Sequence, residues 1–290
     1  MPDQGSPTVR RRRLAAELHR LRERSGLTGD QVAERLGWSP SKISRIENTR
    51  SGVKLPDAQR LLDLYGVHGS HRDELITLAR QGGHKGWWET YSANLPARFA
   101  TFIGMEAEAE SIRSWEPQVI PGLLQIESYA LEVIRNWQAF DLMPQSTIED
   151  RVKVRLERQQ VLYRQDPPRY STVLDESVLL RRFGDQSIMR AQLKNLLEIS
   201  QLANVVLRIL RLAGNHPIST GAFTLFHFPQ TYGVRISDVV CIENMESSLY
   251  VEEEREACYY ERALDHLERL SLDPAESRSL IANVLRTTWR

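Results

Sequence analysis

The first eighty residues carry short apolar stripes separated by polar or glycine-containing breaks, a pattern that predicts five helices. In the first helix Leu14, Leu18 and Leu21 recur every three or four residues within a charged segment, which Gly26 ends. The other four helices are predicted in the segments GDQVAERLG, PSKISRIEN, DAQRLLDLYG and HRDELITLARQ. The pattern therefore predicts a small all-α bundle of five helices.

The second and third predicted helices are joined by a tight turn. Thr28 is a favourable N-cap for the second helix, and Gly37 is suited to its end. Ser39 is the predicted N-cap of the third helix, whose first position holds Pro40, where the missing N–H costs nothing. Two short helices around a glycine-containing turn are typical of the helix-turn-helix, which presents its second helix to the major groove of DNA.

The third helix is predicted to have two different faces, with Ile43 and Ile46 pointing inward. Hydrogen-bonding side chains form an outward stripe at i, i+3, i+4 and i+7: Ser41, Ser44, Arg45 and Asn48. Arg45 is the long donor of this stripe, and a bidentate contact from it to guanine is worth ~1 to 3 kcal/mol of discrimination between bases. A generic helical bundle with a polar face is the alternative interpretation.

Charge is distributed unevenly along the chain, although the formal net charge is zero. Residues 1–80 hold 15 Lys and Arg against 10 Asp and Glu, a net charge of +5, whereas residues 81–290 hold 23 against 28, a net charge of −5. We therefore expect any nucleic-acid contact to be N-terminal. The basic residues predicted to neutralise phosphates are Lys42, Arg50, Lys54 and the run from Arg10 to Arg13.

The segment LTGDQVAERLGWSPSKISRIENTRSGVKLP resembles the Xre/Cro-type helix-turn-helix of phage and bacterial repressors, over residues 10 to about 66. The matching positions are Ala33, Gly37, Ser39, Ile43, Ser44, Ile46 and Glu47. That family often has a phosphate-contacting Gln where this chain has Gly29, whose backbone amide can still bind phosphate. The resemblance implies that Glu47 orders the exit of the third helix, and that a homodimer binds pseudo-palindromic DNA.

Together, the residue pattern and this resemblance predict double-stranded DNA as a partner. Ten residues are predicted to contact it, through base edges, phosphates or the helix ends that present them. They are Ser39, Ser41, Lys42, Ser44, Arg45, Asn48, Arg50, Arg12, Arg13 and Gly29.

The composition changes after Gly82 and Gly83, because a clustered aromatic segment, GWWETYSANLPARF, begins at residue 86. We place the domain boundary at this glycine pair. The prediction is a disordered tail at residues 1–9, a helix-turn-helix domain at 10–81 and a second domain at 82–290. Trp87 and Trp88 are predicted to pack at the junction, and stacking on a ligand is the alternative.

The second domain is predicted to begin with helices around Met105–Trp115, in ESYALEVIRNWQAF, and from Thr147 to about Tyr163. On the last helix Arg151, Arg155 and Arg158 form a stripe that we expect to be solvated or paired with acids. Five β-branched or aromatic runs then predict strands: RYSTVLD, NVVLRILR, GAFTLFHF, SDVVCIEN and SSLYVEE. The predicted fold is thus a two-domain α+β chain whose C-terminal sheet is small and mostly antiparallel.

The strings IPGLLQIESYA, RVKVRLERQQVLY, VLDESVLLRRFG and AGNHPISTGAFTLFHFP resemble the uncharacterised C-terminal domain fused to Xre-type regulators in high-GC Gram-positive bacteria. The resemblance covers about residues 86 to 288. It implies an antitoxin-like regulator that is commonly encoded beside a small partner protein.

The motifs of common enzymes are absent, namely the P-loop, G-x-S-x-G, G-x-G-x-x-G, H-E-x-x-H and paired C-x-x-C, so we expect neither catalysis nor a cofactor. His68 and His71 lack further metal ligands nearby, so no metal site is expected. Asp175 is expected to cap the following helix, with a role in a binding site as the alternative. The candidate residues for binding an effector or a partner protein are Trp87, Trp88, Arg158, Asp175, Glu176 and His216.

Cys241 and Cys258 are too few for a disulfide framework, and no apolar run approaches the ~20 residues of a membrane helix. The basic N-terminus lacks the apolar segment of a signal peptide, so we expect a cytoplasmic protein. Two functions stay open. The first is a sequence-specific transcription regulator whose second domain binds a small-molecule effector or a small partner protein. The second is an antitoxin-like protein that mainly sequesters a partner, with DNA binding secondary.

Overall fold

A computed structural model describes residues 9–48, 51–81, 87–91, 94–140, 142–230, 237–244 and 247–290. The chain divides into two compact units. The N-terminal unit comprises Met1–Ser92, Pro96–Glu108 and Phe228–Ile236, and the C-terminal unit comprises Ala93–Leu95, Ala109–His227 and Ser237–Arg290. The predicted boundary at Gly82 and Gly83, like most of the predicted tail, lies outside the described residues.

The N-terminal unit contains the five predicted helices and a sixth. Their bounds are α1 Val9–Arg24, α2 Gly29–Leu36, α3 Pro40–Glu47, α4 Leu55–Leu64, α5 Gly69–Gln81 and α6 Ala97–Glu108. The predicted stripe of α1 is buried, since Leu14, Leu18 and Leu21 pack in one core with Ile43 and Ile46 of α3. The apolar periodicity of this region therefore identified its core.

Local capping fixes the two helices of the turn, as the sequence predicts. Thr28 accepts a hydrogen bond from the Gln31 amide while the Gln31 side chain accepts one from the Thr28 amide, which forms a capping box at the start of α2. Gly37 ends α2 with a φ of 65°, in the left-handed region that glycine adopts without strain. Ser39 then caps α3 by accepting a hydrogen bond from the Lys42 amide.

The C-terminal unit is an α+β structure. Its helices are α7 Glu127–Asn136, α8 Gln145–Arg158, α9 Ser177–Leu180, α10 Gln186–Ile199, α11 Glu254–Leu270 and α12 Pro274–Thr287. Its strands are β1 Ser111–Glu116, β2 Arg169–Asp175, β3 Val205–Leu210, β4 Phe223–His227, β5 Val239–Glu243 and β6 Ser248–Val251. Five of these strands coincide with the predicted runs.

The helix predicted around Met105–Trp115 is wrong in its second half. Helix α6 ends at Glu108, and β1 occupies the following residues as a strand. The short segment SIRSWE has too few β-branched residues to predict a strand by itself, and its pairing with two other strands decides its conformation.

The prediction of a mostly antiparallel sheet is also wrong, because the sheet is mixed. Its strand order is β3-β2-β1-β4-β5-β6. Strand β1 pairs in parallel with β2, and β2 pairs in parallel with β3, whereas the β1–β4, β4–β5 and β5–β6 pairs are antiparallel. The helical crossovers between β1 and β2 and between β2 and β3 allow the parallel pairs. Because the sequence pattern did not predict β1, it also could not predict the crossover from β1 to β2.

The two faces of the sheet differ in chemistry. One face packs against α11 through an apolar cluster that includes Trp115, Val173, Leu225 and Leu264. Side chains alternate across a strand, and the opposite face carries, among apolar side chains such as Ile112 and Phe226, a polar set that we call the polar sheet face. It consists of Ser114, Glu116, Thr172, Cys241 and Glu243. The hydroxyl of Ser114 donates a hydrogen bond of 2.9 Å to that of Thr172.

No helix within the described ranges has both the length and the apolar character needed to cross a membrane. The same part of the chain also contains no group of three or more His, Cys, Asp or Glu side chains arranged to hold a metal ion.

The capping box of α12 yields a stability prediction. Asp273 accepts hydrogen bonds of 2.8 Å from the amides of Ala275 and Glu276, so Asp273→Ala leaves both amides without a protein partner. We expect the free energy of unfolding to fall by about 1 to 2 kcal/mol. Urea unfolding measures the loss. Glu198→Ala removes an exposed acid inside α10 and should change stability by less than about 0.5 kcal/mol. Equal effects of the two substitutions would contradict the capping role.

Candidate functional site

Helix α3 has the two faces that the sequence predicts. Ile43 and Ile46 are each 2% exposed and belong to the core of the N-terminal unit. The predicted polar stripe faces solvent: Ser41, Ser44, Arg45 and Asn48 are all exposed. Because α3 is the second helix of the turn, its exposed face is the candidate nucleic-acid interface.

The polar side chains at the ends of this stripe are held by the helix itself. Asn48 donates hydrogen bonds of 2.8 Å to the Ser44 carbonyl and 3.3 Å to the Ser44 hydroxyl, and the Ser39 and Ser41 hydroxyls lie 3.0 Å apart. The Arg45 side chain, in contrast, forms no hydrogen bond or ion pair with any residue that the structure describes. Its guanidinium is therefore available to a ligand of this face.

Lys42 is engaged within the N-terminal unit. Its Nζ lies 2.9 Å from an Asp57 carboxylate oxygen and 3.5 Å from the centre of the Trp38 ring. The Arg60 guanidinium also lies against Trp38, 5.2 Å from the ring centre, and donates a hydrogen bond to the Leu36 carbonyl. A phosphate contact by Lys42, as the sequence predicts, competes with its ion pair to Asp57.

The basic run of α1 packs onto the N-terminal unit more than its composition indicates. Arg10 forms an ion pair of 3.1 Å with Glu108. Arg13 is 4% exposed and donates a hydrogen bond of 2.9 Å to the Pro229 carbonyl, and Arg12 is half-buried. The buried position of Arg13 does not suit the predicted phosphate contact. Arg50, a further predicted contact, lies outside the described residues.

Gly29 is the first residue of α2 and is half-buried. A Cβ at this position would lie 3.8 Å from Cγ2 of Ile43, an ordinary contact distance. A larger side chain could therefore begin here without displacing α3. Because this chain has glycine at position 29, the backbone amide is the group left to make the phosphate contact that the sequence predicts.

Glu47 links α3 to α1. It accepts hydrogen bonds of 2.7 and 3.0 Å from Nε and Nη2 of Arg22, and its second oxygen lies 2.7 Å from Nδ1 of His19. Burial acts to raise the pKa of the Glu47 carboxyl, but the hydrogen bonds from Arg22 and His19 outweigh it and lower that pKa. This geometry fits the role that the family resemblance implies, in which Glu47 orders the end of α3.

Trp87 and Trp88 pack within the N-terminal unit. They lie in a 3₁₀ turn at Trp87–Tyr91, and their rings meet edge to face at a centroid distance of 5.7 Å. The Trp88 ring also approaches Gly104 of α6, where a Cβ would lie 3.5 Å from it. Both rings are half-buried within this unit, and their predicted packing at the domain junction stays a prediction.

The acidic pair after β2 has structural partners. Asp175 is 6% exposed and accepts hydrogen bonds from the amide and the hydroxyl of Ser177, the first residue of α9, although the N-cap position of that helix is Glu176. Glu176 accepts hydrogen bonds from Arg211 at 3.0 Å and from the Leu212 amide at 2.9 Å.

His216 is brought to the same place, with its Nδ1 3.7 Å from an Asp175 carboxylate oxygen. The structure thus assembles three of the predicted effector-site residues, Asp175, Glu176 and His216. Local hydrogen bonds already account for the two acids of this group.

The arginine stripe of α8 is less exposed than a solvated stripe would be. Arg158 is 7% exposed and Arg155 is half-buried, with Nη1 of Arg155 donating a hydrogen bond of 2.8 Å to the side-chain oxygen of Gln125. Solvation, the first alternative of the prediction, is therefore wrong for Arg155 and Arg158, whereas pairing of the stripe with acids stays a prediction. Helical periodicity placed them on one face, but it could not show that this face turns inward.

Glu116 and Arg155 both have perturbed pKa values. Burial and then the charge of Glu243 raise the pKa of the Glu116 carboxyl to about 8, although a hydrogen bond from Ser114 opposes the shift. Burial and then the charge of Arg158 lower the pKa of the Arg155 guanidinium to about 10. Sequence reasoning named neither residue as a site residue. The sequence pattern marked neither residue, because it did not predict β1 and because the contact of Arg155 with Gln125 joins segments far apart along the chain.

Two protein-family models match the chain. A model of a helix-turn-helix domain matches residues 13–75, which include α2 and α3. A model of a domain of unknown function, DUF5753, matches residues 99–283. No curated protein matches the chain significantly, and no solved structure does so either.

The matched helix-turn-helix and the exposed polar face of α3 define the class of this protein, which is a helix-turn-helix protein of the kind that binds DNA and regulates transcription. The DUF5753 match covers more than half of the chain, so the chain belongs to the DUF5753 family.

The link between α1 and α3 gives a prediction for Glu47→Gln. We expect the free energy of opening of these helices to fall by about 2 kcal/mol, because the Arg22 guanidinium loses its charged acceptor. Native-state hydrogen exchange of α1 and α3 measures this energy. The matched control is Glu23→Gln, which alters an ion pair whose Glu23 side chain is 61% exposed and should cost less than about 0.5 kcal/mol.

The effect of Glu47→Gln also depends on pH. A carboxyl whose pKa is lowered in the folded state stabilises the fold above its unfolded pKa, and this contribution is lost as pH falls through the folded pKa. The difference between the wild type and the variant should be largest above about pH 5 and shrink below the ordinary Glu pKa of about 4.3. A difference that is constant between pH 6 and pH 3 would show that the Glu47 charge has no stabilising role.

Proposed function

We propose that this protein is a sequence-specific, Xre-type transcription regulator whose α3 helix reads the major groove. The single observation that supports the proposal best is the exposed Arg45 guanidinium, which has no partner among the described residues and lies on the outward face of the second helix of the turn. A guanidinium in that position can donate two parallel hydrogen bonds to O6 and N7 of guanine. Ser41 and Ser44 supply shorter-range contacts on the same face.

The distribution of charge supports specific rather than indiscriminate binding. The first eighty residues carry a net charge of +5 and the remainder −5, so the whole chain has little bulk attraction to DNA. In this proposal discrimination between sequences rests on Arg45 and its neighbours. The chain acts in the cytoplasm, where bacterial chromosomal DNA lies, and needs no catalytic activity for this role.

The C-terminal unit, in the same proposal, receives an effector. The polar sheet face and the inward arginines of α8 support this role, because buried polar groups of this kind orient ligands in binding sites. The altered pKa values of Glu116 and Arg155 are also typical of functional sites. Binding there would change the affinity of the regulator for its operator.

A second candidate is an antitoxin-like protein that mainly sequesters a partner. The observation that favours it lies around the start of α11, where Glu252, Glu253 and Glu256 are exposed and Tyr259 is 71% exposed. Such a surface fits a basic partner protein with an apolar contact residue. Tight, sequence-specific DNA binding by the chain alone would favour the first candidate over this one.

The DNA-reading role of α3 is tested with Arg45→Ala. The probes are duplex DNA from upstream of the protein's own gene and a shuffled duplex of equal composition, compared at one salt concentration. We expect the substitution to remove about 1 to 3 kcal/mol of discrimination between the two duplexes, because the bidentate contact is lost. Circular dichroism should show an unchanged fold, since Arg45 is exposed.

Arg80→Ala is the matched control for this experiment. Arg80 is an exposed arginine of α5, so its loss removes the same charge without altering α3. It should leave discrimination unchanged. Arg45→Lys retains the charge and loses the forked geometry, and should behave like Arg45→Ala in discrimination. An unchanged preference for the specific duplex in Arg45→Ala would remove α3 from the proposal.

We also propose that the protein acts as a homodimer, because two-fold symmetric proteins match the half-sites of pseudo-palindromic operators. Light scattering at micromolar concentration should give about twice the 33.4 kDa mass of the chain. A monomeric mass at that concentration, both free and with duplex DNA, would contradict the dimer.

A further inference from the structure

Lys42 lies at the border of the exposed face of α3. It precedes Arg45 by three residues, so the two side chains are neighbours on the surface of the helix. The Lys42 side chain is 31% exposed. A cation in such a position normally displaces counterions from DNA phosphates and strengthens the binding of any sequence. The state of the Lys42 charge therefore bears on how strongly α3 binds DNA without regard to sequence.

The ammonium group of Lys42 is already bound within the protein. Its Nζ lies 2.9 Å from Oδ2 of Asp57 and 3.5 Å from the centre of the Trp38 ring, so it has an anionic and an aromatic partner at once. The Asp57 side chain is 20% exposed and lies in the first turn of α4, where the helix dipole favours a negative charge. A phosphate that binds Lys42 must therefore displace a carboxylate that is itself held in place.

A second contact fixes the two partners of Lys42 relative to each other. Arg60, three residues after Asp57 on α4, donates a hydrogen bond of 2.7 Å to the Leu36 carbonyl at the end of α2. The Arg60 guanidinium also lies 5.2 Å from the centre of the Trp38 ring. Helix α4 is thus joined to the turn that precedes α3. Lys42 completes this link, because it connects the first turn of α3 with both Asp57 and Trp38.

Charged side chains consequently hold α3 at both ends. Glu47 joins its last turn to α1 through Arg22. Lys42 joins its first turn to α4 through Asp57. A helix of eight residues has little stability of its own, so such links fix its direction. Arg45 lies between the two links along the helix, and a fixed direction is what it needs to form two parallel hydrogen bonds with one base.

We propose that Asp57 is a specificity-determining residue of the DNA interface. Its carboxylate keeps the Lys42 charge from the phosphates of any sequence, and through Lys42 it holds the first turn of α3 in the direction that Arg45 needs. Lys42 is then a positioning residue rather than the phosphate contact that the sequence predicts. This inference rests on the proposed function, since it names the residue that limits sequence-independent binding by α3.

The test is the salt dependence of DNA binding by the full-length protein with Asp57→Asn. The probes are the shuffled duplex and the duplex from upstream of the protein's own gene, each titrated between about 50 and 200 mM potassium chloride. The released Lys42 should add one phosphate contact, which makes the slope of log K against log salt concentration steeper by about 0.9 for the shuffled duplex. Affinity for that duplex should rise about fivefold at about 0.1 M salt, and the preference for the upstream duplex should fall about threefold or more.

Lys42→Met separates a positioning role from a phosphate contact. It should leave the slope for the shuffled duplex unchanged, because Asp57 already binds the lysine charge in the wild type. It should lower the preference for the upstream duplex about threefold, because α3 loses its link to α4. A phosphate contact predicts the reverse, a slope shallower by about 0.9 with the preference unchanged. In the variant that carries both Asp57→Asn and Lys42→Met, the slope should return to the wild-type value.

Asp63→Asn is the matched control on α4. The Asp63 side chain is 64% exposed and lies 2.6 Å from Nη2 of Arg72, so the substitution removes the same charge and also releases a cation, in an ion pair that contains no residue of α3. It should change neither the slope nor the preference. Equal effects of Asp57→Asn and Asp63→Asn, or a shallower slope in Lys42→Met, would overturn the proposal. If circular dichroism shows that Asp57→Asn does not fold, the slope of Lys42→Met decides the matter.

The behaviour of the wild type separates this inference from the proposed function. A wild-type preference for the upstream duplex, with an unchanged slope in Asp57→Asn, leaves the proposed regulator standing and removes the role of Asp57. Equal affinity of the wild type for both duplexes removes the proposed reading of sequence by α3, whereas a steeper slope in Asp57→Asn then still supports the restraint of Lys42. A wild type that binds neither duplex contradicts both.

Discussion

The burial of Ile43 and Ile46 is the constraint on which the DNA-binding half of this protein depends. A helix of eight residues is not stable alone in water, so α3 persists only because these two side chains pack into the core formed with α1. Once they are buried, helical geometry places Arg45 on the opposite side, exposed. The hydrogen bonds of Glu47 to Arg22 and His19 then hold the end of α3 against α1, so the reading face stays fixed on a rigid support.

Strand β1 has the equivalent position in the C-terminal unit. It lies between β2 and β4, in parallel with one and antiparallel to the other, so the mixed character of the sheet originates there. Because side chains alternate along the strand, Trp115 lies in the apolar core beside α11, whereas Ser114 and Glu116 lie on the polar sheet face. The loop that follows carries Gly122 and Gln125 to the inward arginines of α8.

Much of the N-terminal half could be predicted, because its signals are local. Caps, glycine ends and apolar spacing act within one or two turns of helix, and Thr28, Gly37 and Ser39 have the roles that their residue types predict. The exposed stripe of α3 was predicted for the same reason. The bonding partners of the nearby basic side chains, however, could not be predicted. Lys42 and Arg13 carry the charge that phosphate contacts need, yet both are occupied by groups distant in sequence, Asp57 and Pro229.

Sequence pattern alone was enough to predict the five helices of the first eighty residues, five of the six strands, and the side of α3 that faces away from the core, because periodicity and capping are properties of neighbouring residues. The conformation of β1, the parallel pairs of the sheet and the inward direction of Arg155 and Arg158 follow from tertiary contacts instead. Each of these depends on contacts between segments far apart along the chain. A stripe of arginines has the same pattern whether it faces water or the interior of the fold, and the surrounding fold determines which of the two it faces.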